Sequence, residues 1–111
     1  MMVPAQKQFQ NSRQVNWRGR SGRFYALSPE RMESFALTRT GLYLLARGTV
    51  PMWVGSANDV INDAPSRARF RLALEAADRA FSVDVENDEN VRATVVWDLE
   101  GAEPVAGLNA A

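Results

Sequence analysis

The sequence predicts an α+β fold, a mostly antiparallel sheet with one main helix, about residues 66–80, packed on one face. Short runs rich in β-branched and aromatic residues recur between glycine-bearing turns, the pattern of strands joined by hairpins. A single segment, Ser66 to about Ala80, carries Phe70, Ala73, Leu74, Ala77 and Phe81 at intervals of three and four, one face of a helix. The chain has 111 residues of which 46% are hydrophobic, enough for one core and too few residues for two domains.

In chain order, residues 1–14 lack hydrophobic periodicity and hold four glutamines, and read as a flexible arm before a domain over 15–100. Val15-Asn16-Trp17 alternates and starts a strand. The glycines of Trp17-Arg18-Gly19-Arg20-Ser21-Gly22 turn the chain into a second arm, Arg23 to Leu27. Ser28-Pro29-Glu30 suits the cap and first position of a short helical turn. Phe35-Ala36-Leu37 reads equally as a strand or as the end of that turn. Gly41 to Arg47 is apolar at nearly every position, as in a strand covered on both faces, and Met52 to Gly55 returns after a turn at Gly48-Thr49-Val50-Pro51. Asp59 or Asp63 can cap the main helix. Phe81 to Val85 alternates strictly. The polar loop Glu86 to Asn90 then leads to Val91–Leu99, whose Ala93-Thr94-Val95-Val96-Trp97 favours a strand and hence a closing hairpin. Residues 101–111 read as a flexible tail.

The chain contains no cysteine and no histidine. Disulfides, thiolate metal sites, cysteine nucleophiles and Ser–His–Asp chemistry are therefore excluded, and any metal would need carboxylate and carbonyl ligands. No catalytic residue, metal site or cofactor is expected. The first residues lack the apolar core of a signal peptide, and no run of about 18 apolar residues offers a membrane span. A soluble, cytoplasmic protein with no membrane partner is the expectation. The net charge of zero is split: residues 1–55 hold eight cations against two acids, and residues 56–111 five against eleven. Such halves can pair with each other, within one chain or across a homodimer, or the basic half can meet nucleic acid.

Three stretches offer candidate sites. Arg18, Arg20, Arg23 and Tyr25 interleave cations with aromatics, as phosphate contacts and base-stacking faces do, although a hairpin with buried rings and solvated arginines has the same pattern. Arg67, Arg69 and Arg71 crowd the start of the main helix, either as an anion site or as partners of Asp59 and Asp63. Glu86, Asp88 and Glu89 lack the spacing of a calcium loop and read as a solvated turn.

Gly41-Leu42-Tyr43, nine further residues and Trp53-Val54-Gly55 with Ser56 resemble a degenerate form of the paired tripeptides of the GIY-YIG nuclease family. In that family the tripeptides lie on neighbouring strands and a helix follows the second. Its members cut DNA with a metal held by a glutamate, an arginine on the helix and tyrosines near the attacking water. The resemblance covers residues 41–80 and places Tyr43 at the first tyrosine and Gly55 at the closing glycine. Trp53 replaces the second tyrosine, and indole has no ionisable hydroxyl. Asp63 stands where the arginine belongs, with Arg67 the nearest substitute. Only Glu75, Glu86 or Glu89 is on offer for the metal, none in a matching context. The departures fall on the groups that do chemistry and the matches on those that shape a hairpin, which also arise from sheet packing alone.

Two functions follow as expectations. The first is a noncatalytic domain that binds a protein partner or a second copy of itself. The alternative is a nucleic-acid-binding domain related to those nucleases, using Arg18, Arg20, Arg23, Tyr25, Tyr43 and Arg67.

Overall fold

A computed structural model describes residues 13–105. The expected arm over 1–14 lies almost wholly outside them, as does the tail beyond 105. Six strands, β1 (Val15–Arg18), β2 (Phe24–Glu30), β3 (Leu42–Arg47), β4 (Val50–Ser56), β5 (Arg79–Val83) and β6 (Glu103–Pro104), form one sheet in the order β4-β3-β5-β2-β1-β6. Every pairing is antiparallel. The helices are α1 (Ala57–Asn62), α2 (Ala64–Ala76) and α3 (Glu89–Glu100), so the α+β class stands and the single main helix becomes three.

The two hairpins form where the glycines allow. Gly22 and Gly48 adopt positive φ, +94° and +59°, the region that a Cβ disfavours. The turn after β3 is shorter than the sequence suggests: Gly48-Thr49 alone connects Arg47 to Val50, and Pro51 already stands opposite Ala46. Pro51 is tolerated because β4 is an edge strand. Ser28-Pro29-Glu30 continues β2 instead of opening a helix, because Pro29 pairs with Phe81 of β5. A single 3₁₀ turn follows at Met32–Ser34, and Phe35 and Leu37 lie in irregular chain.

The main helix runs 64–76, not 66–80. Asp63 caps it, accepting the Ser66 N–H at 2.9 Å, with Pro65 in its first turn. It stops at Ala77 because Asp78 donates its N–H to the Ala46 carbonyl, and Arg79 and Ala80 pair with β3. Strand pairing at the centre of the sheet outweighs the helical periodicity that runs on to Phe81.

The larger correction concerns Val91–Leu99, which is helical. Asp88 accepts the N–H groups of Asn90 and Val91 at 2.8 and 3.2 Å, turning the expected hairpin loop into an N-cap. Val91, Val95 and Leu99, each four residues apart, pack on the sheet. Burial along that stripe overrides the β-propensity of valine and threonine. Without a second arm there, β5 inserts between β2 and β3. Glu103 and Pro104, expected in a flexible tail, pair with Arg18 and Trp17.

Helices on opposite faces make the sheet the middle of three layers. Trp17, Leu27, Leu42, Leu44, Val54, Phe81 and Val83 meet Val95 and Leu99 of α3. Tyr43, Leu45, Trp53 and Ala80 meet Ala73 of α2, flanked by Phe35 and Phe70. Leu42 to Ala46 are thus all buried, as their unbroken apolar run anticipates.

Candidate functional site

The basic-aromatic hairpin folds into a brace between β1–β2 and α3. Trp17 is fully buried edge-on to Phe81, and Tyr25 is buried as well. Arg18 forms an ion pair with Glu103, Arg20 stacks on Trp97 at 4.6 Å, and Arg23 lies 4.9 Å over the Tyr25 ring. Arg20 Nε also donates to the Trp97 carbonyl at 2.9 Å. Asp98, buried at the end of α3, is the centre of the brace. Its carboxylate accepts the Ser21 N–H, the Ser21 hydroxyl and the Tyr25 hydroxyl, each at 2.7 Å. Burial pushes the Tyr25 hydroxyl up to about 12, helped by the charge and hydrogen bond of Asp98. Burial alone would raise the Asp98 carboxyl too, but the Ser21 N–H, the Tyr25 and Ser21 hydroxyls and the Arg23 charge outweigh it and hold it below its ordinary value. Gly19 must be glycine, since a Cβ there would lie 2.3 Å from Asp98 Oδ1. Of this stretch's aromatics only Phe24 is well exposed.

Tyr43 and Trp53 share the α2 face of the sheet without forming an open site. The Tyr43 hydroxyl sits 2.8 Å from Thr38 Oγ1, and its ring meets Phe35 edge-on at 5.4 Å. Trp53 packs against Phe70 at 4.7 Å and donates its indole N–H to Ser66 Oγ at 3.2 Å. Gly55 gives way to that indole, since a Cβ would stand 2.6 Å from Trp53 Cζ2. Arg67 is turned to the preceding helix, donating to the Val60 and Ile61 carbonyls at 2.7 and 3.1 Å. The structure therefore brings Tyr43 and Trp53 into one packed cluster and puts Arg67 to work at the end of α1. Arg18, Arg20, Arg23 and Tyr25 gather separately at the brace. Among the described residues no group of three acids lies close enough to share a metal ion.

A cleft of about 710 Å³ lies elsewhere. Leu42 and Val54 of the sheet line its base. One wall is the start of α1 and α2, with Asp59, Asp63 and Arg69; the other is α3, with Glu89, Arg92, Trp97 and Glu100. A smaller hollow around Pro51, Met52 and Val54 also touches Arg69 and Glu100 and so continues the cleft along β4. Asp59 is committed to Ser56, Asp63 to its cap and Arg92 to the Thr40 and Gly41 carbonyls. Arg69, Glu89 and Glu100 make no ion pair or side-chain hydrogen bond among the described residues. Trp97 is 52% exposed.

This cleft is hidden from the sequence because Val91–Leu99, which forms its α3 wall, has the local preference of a strand. The one available signal was the 91-95-99 spacing, which leaves Trp97 and Glu100 pointing away from the core. No protein-family model matches the sequence, and none of the curated proteins or solved structures compared with it is significantly similar.

Proposed function

We propose that this is a noncatalytic binding domain whose ligand is another polypeptide, held in the cleft between α3 and the α1–α2 pair. The observation that carries the reading is the cleft's mixed lining. Three arginines (Arg39, Arg69, Arg92) and four carboxylates (Asp59, Asp63, Glu89, Glu100) surround a half-exposed tryptophan. A nucleic-acid groove gathers cations to meet successive phosphates. A protein interface instead mixes both signs around an aromatic anchor, with charge setting specificity more than raw affinity. The lack of histidine and cysteine agrees with binding without catalysis.

The experiment is panning of a displayed library of random 12-residue linear peptides on the full chain. The best peptide is then labelled and titrated against the wild type, Trp97→Ala and Arg69→Glu. A saturable complex weakened at least tenfold by either substitution supports the reading. Failure to enrich any peptide contradicts it. So does binding of labelled DNA or RNA that falls steeply with salt and weakens in an Arg20→Ala/Arg23→Ala variant, which would favour the nucleic-acid alternative.

A further inference from the structure

We infer that the cleft takes its ligand as an extended segment that pairs with the free edge of β4 at Val54. The inference rests on the polypeptide-binding reading above and adds the ligand's conformation and charge pattern.

The hydrogen-bond phase of β4 carries it. In an antiparallel pair, residues alternate between those that bond the partner strand and those whose N–H and C=O point outward. Pro51, opposite Ala46, has no N–H and marks an outward position. The register then shifts by one residue between Leu45 and Ala46, so Val54, opposite Leu44, falls in the same phase as Pro51. Ser56 gives the same phase independently: its N–H goes to Asp59 Oδ2 at 2.8 Å and not to β3. The N–H and C=O of Val54 therefore face away from β3. Among the described residues no backbone group outside the strand ladders reaches them.

The two groups face the cleft, and an added strand supplies hydrogen-bond partners for both. The neighbours on this edge are blunted, Pro51 by its ring and Ser56 by its capping box. The opening is thus limited to a short ligand stretch centred on Val54.

The walls explain why the occupant is a single extended segment and not a second copy of this chain. Val54 lies at the base of the cleft between the α1–α2 wall and α3, so the same stretch of another copy, equally recessed, cannot reach it. Arg69 on one wall and Glu100 on the other line both hollows on either side of Val54. Side chains of an extended ligand alternate between two faces. An acidic residue facing Arg69, next to a basic residue facing Glu100, meets both walls at once. Glu100 also sits at the C-terminal end of α3, where a carboxylate opposes the helix dipole and a ligand cation would relieve it.

The test uses the tightest peptide from the 12-residue library, with the full isotope-labelled chain. Pairing predicts nuclear Overhauser contacts between the peptide's α-protons and the Val54 amide, and slowed exchange of that amide on binding. N-methylating the peptide one position at a time should cut affinity at least tenfold only at positions that donate to β4, leaving the neighbours on either side tolerant. Enriched peptides should carry an acidic residue next to a basic one, and the double swap Arg69→Glu/Glu100→Arg should prefer the same peptide with those two residues exchanged. A peptide that binds with helical contacts, with none to Val54, or with no alternating N-methyl effect overturns the paired edge and leaves polypeptide binding standing. A Val54 amide already protected in the free chain overturns it as well, since the edge is then occupied by the protein itself.

Discussion

Tyr25 in β2 and Asp98 in the last turn of α3 meet at 2.7 Å inside the protein, joining the first hairpin to the last helix across 73 residues of sequence. Around this contact the solvent-exposed Arg18, Arg20 and Arg23 fasten onto Glu103, Trp97 and the Tyr25 ring.

Asp98→Ala is expected to destabilise the fold by about 3 kcal/mol, because it leaves the buried Tyr25 hydroxyl unpaired and removes two further bonds from Ser21. Chemical denaturation measures it. The sign of the pH dependence follows from the lowered carboxyl. The folded state holds Asp98 ionised more readily than the unfolded chain, whose aspartates titrate near about pH 4. The contribution is therefore present above that value and is lost as pH falls through the lower folded one. Asp98→Asn should flatten this acid limb.

Tyr25 gives the opposite limb. Its folded hydroxyl, raised to about 12, keeps its proton where an unfolded tyrosine loses it near about 10. Stability from this group persists below about pH 10 and declines toward 12. Near-ultraviolet absorbance titration should show a late tyrosine step that disappears in Tyr25→Phe.

Leu99 and Trp97 separate the helix from the strand that the sequence suggests. In a strand, residues two apart share a face; in α3, Leu99 is fully buried and Trp97 is half exposed. Leu99→Ala should cost about 2–5 kcal/mol. Trp97→Ala should cost no more than about 1 kcal/mol, mostly the lost Arg20 stacking. Equal losses, measured by thermal and denaturant unfolding, would contradict the helix.

Gly55→Ala should destabilise by about 1–3 kcal/mol through overpacking, because the new methyl meets the Trp53 ring. Trp53→Phe, which removes the outer ring, should restore part of that loss in the double variant. A purely catalytic reason for glycine at this position predicts no change in melting temperature.

Much of the fold is legible in the sequence. The β1–β2 hairpin follows from alternation and glycine placement, the β3–β4 hairpin from an unbroken apolar run that ends at Gly48, and α2 from its periodicity. What escapes has a common physical cause: local preference and tertiary demand disagree. Val95 and Val96 favour a strand locally, but the stripe Val91-Val95-Leu99 buries more apolar surface as a helix on the sheet. Ala77 and Ala80 continue a helical pattern, yet Ala80 belongs opposite Leu45. The candidate residues stay ambiguous in the sequence for a related reason. Composition cannot say whether Arg20 meets a phosphate or Trp97, or whether Arg67 meets an anion or the carbonyls that end α1. The cleft is invisible in the sequence because its walls come from segments about 30 residues apart, one of them read as the wrong element.

The most direct test follows the indole N–H signals of the three tryptophans in a nitrogen–proton correlation spectrum during titration with the library-selected peptide. Trp17 and Trp53 are buried and Trp97 is exposed beside the cleft. A saturable shift of the Trp97 signal, with those of Trp17 and Trp53 unmoved, is the predicted result. Saturation of binding with the Trp97 signal unchanged would place the ligand elsewhere and contradict the account.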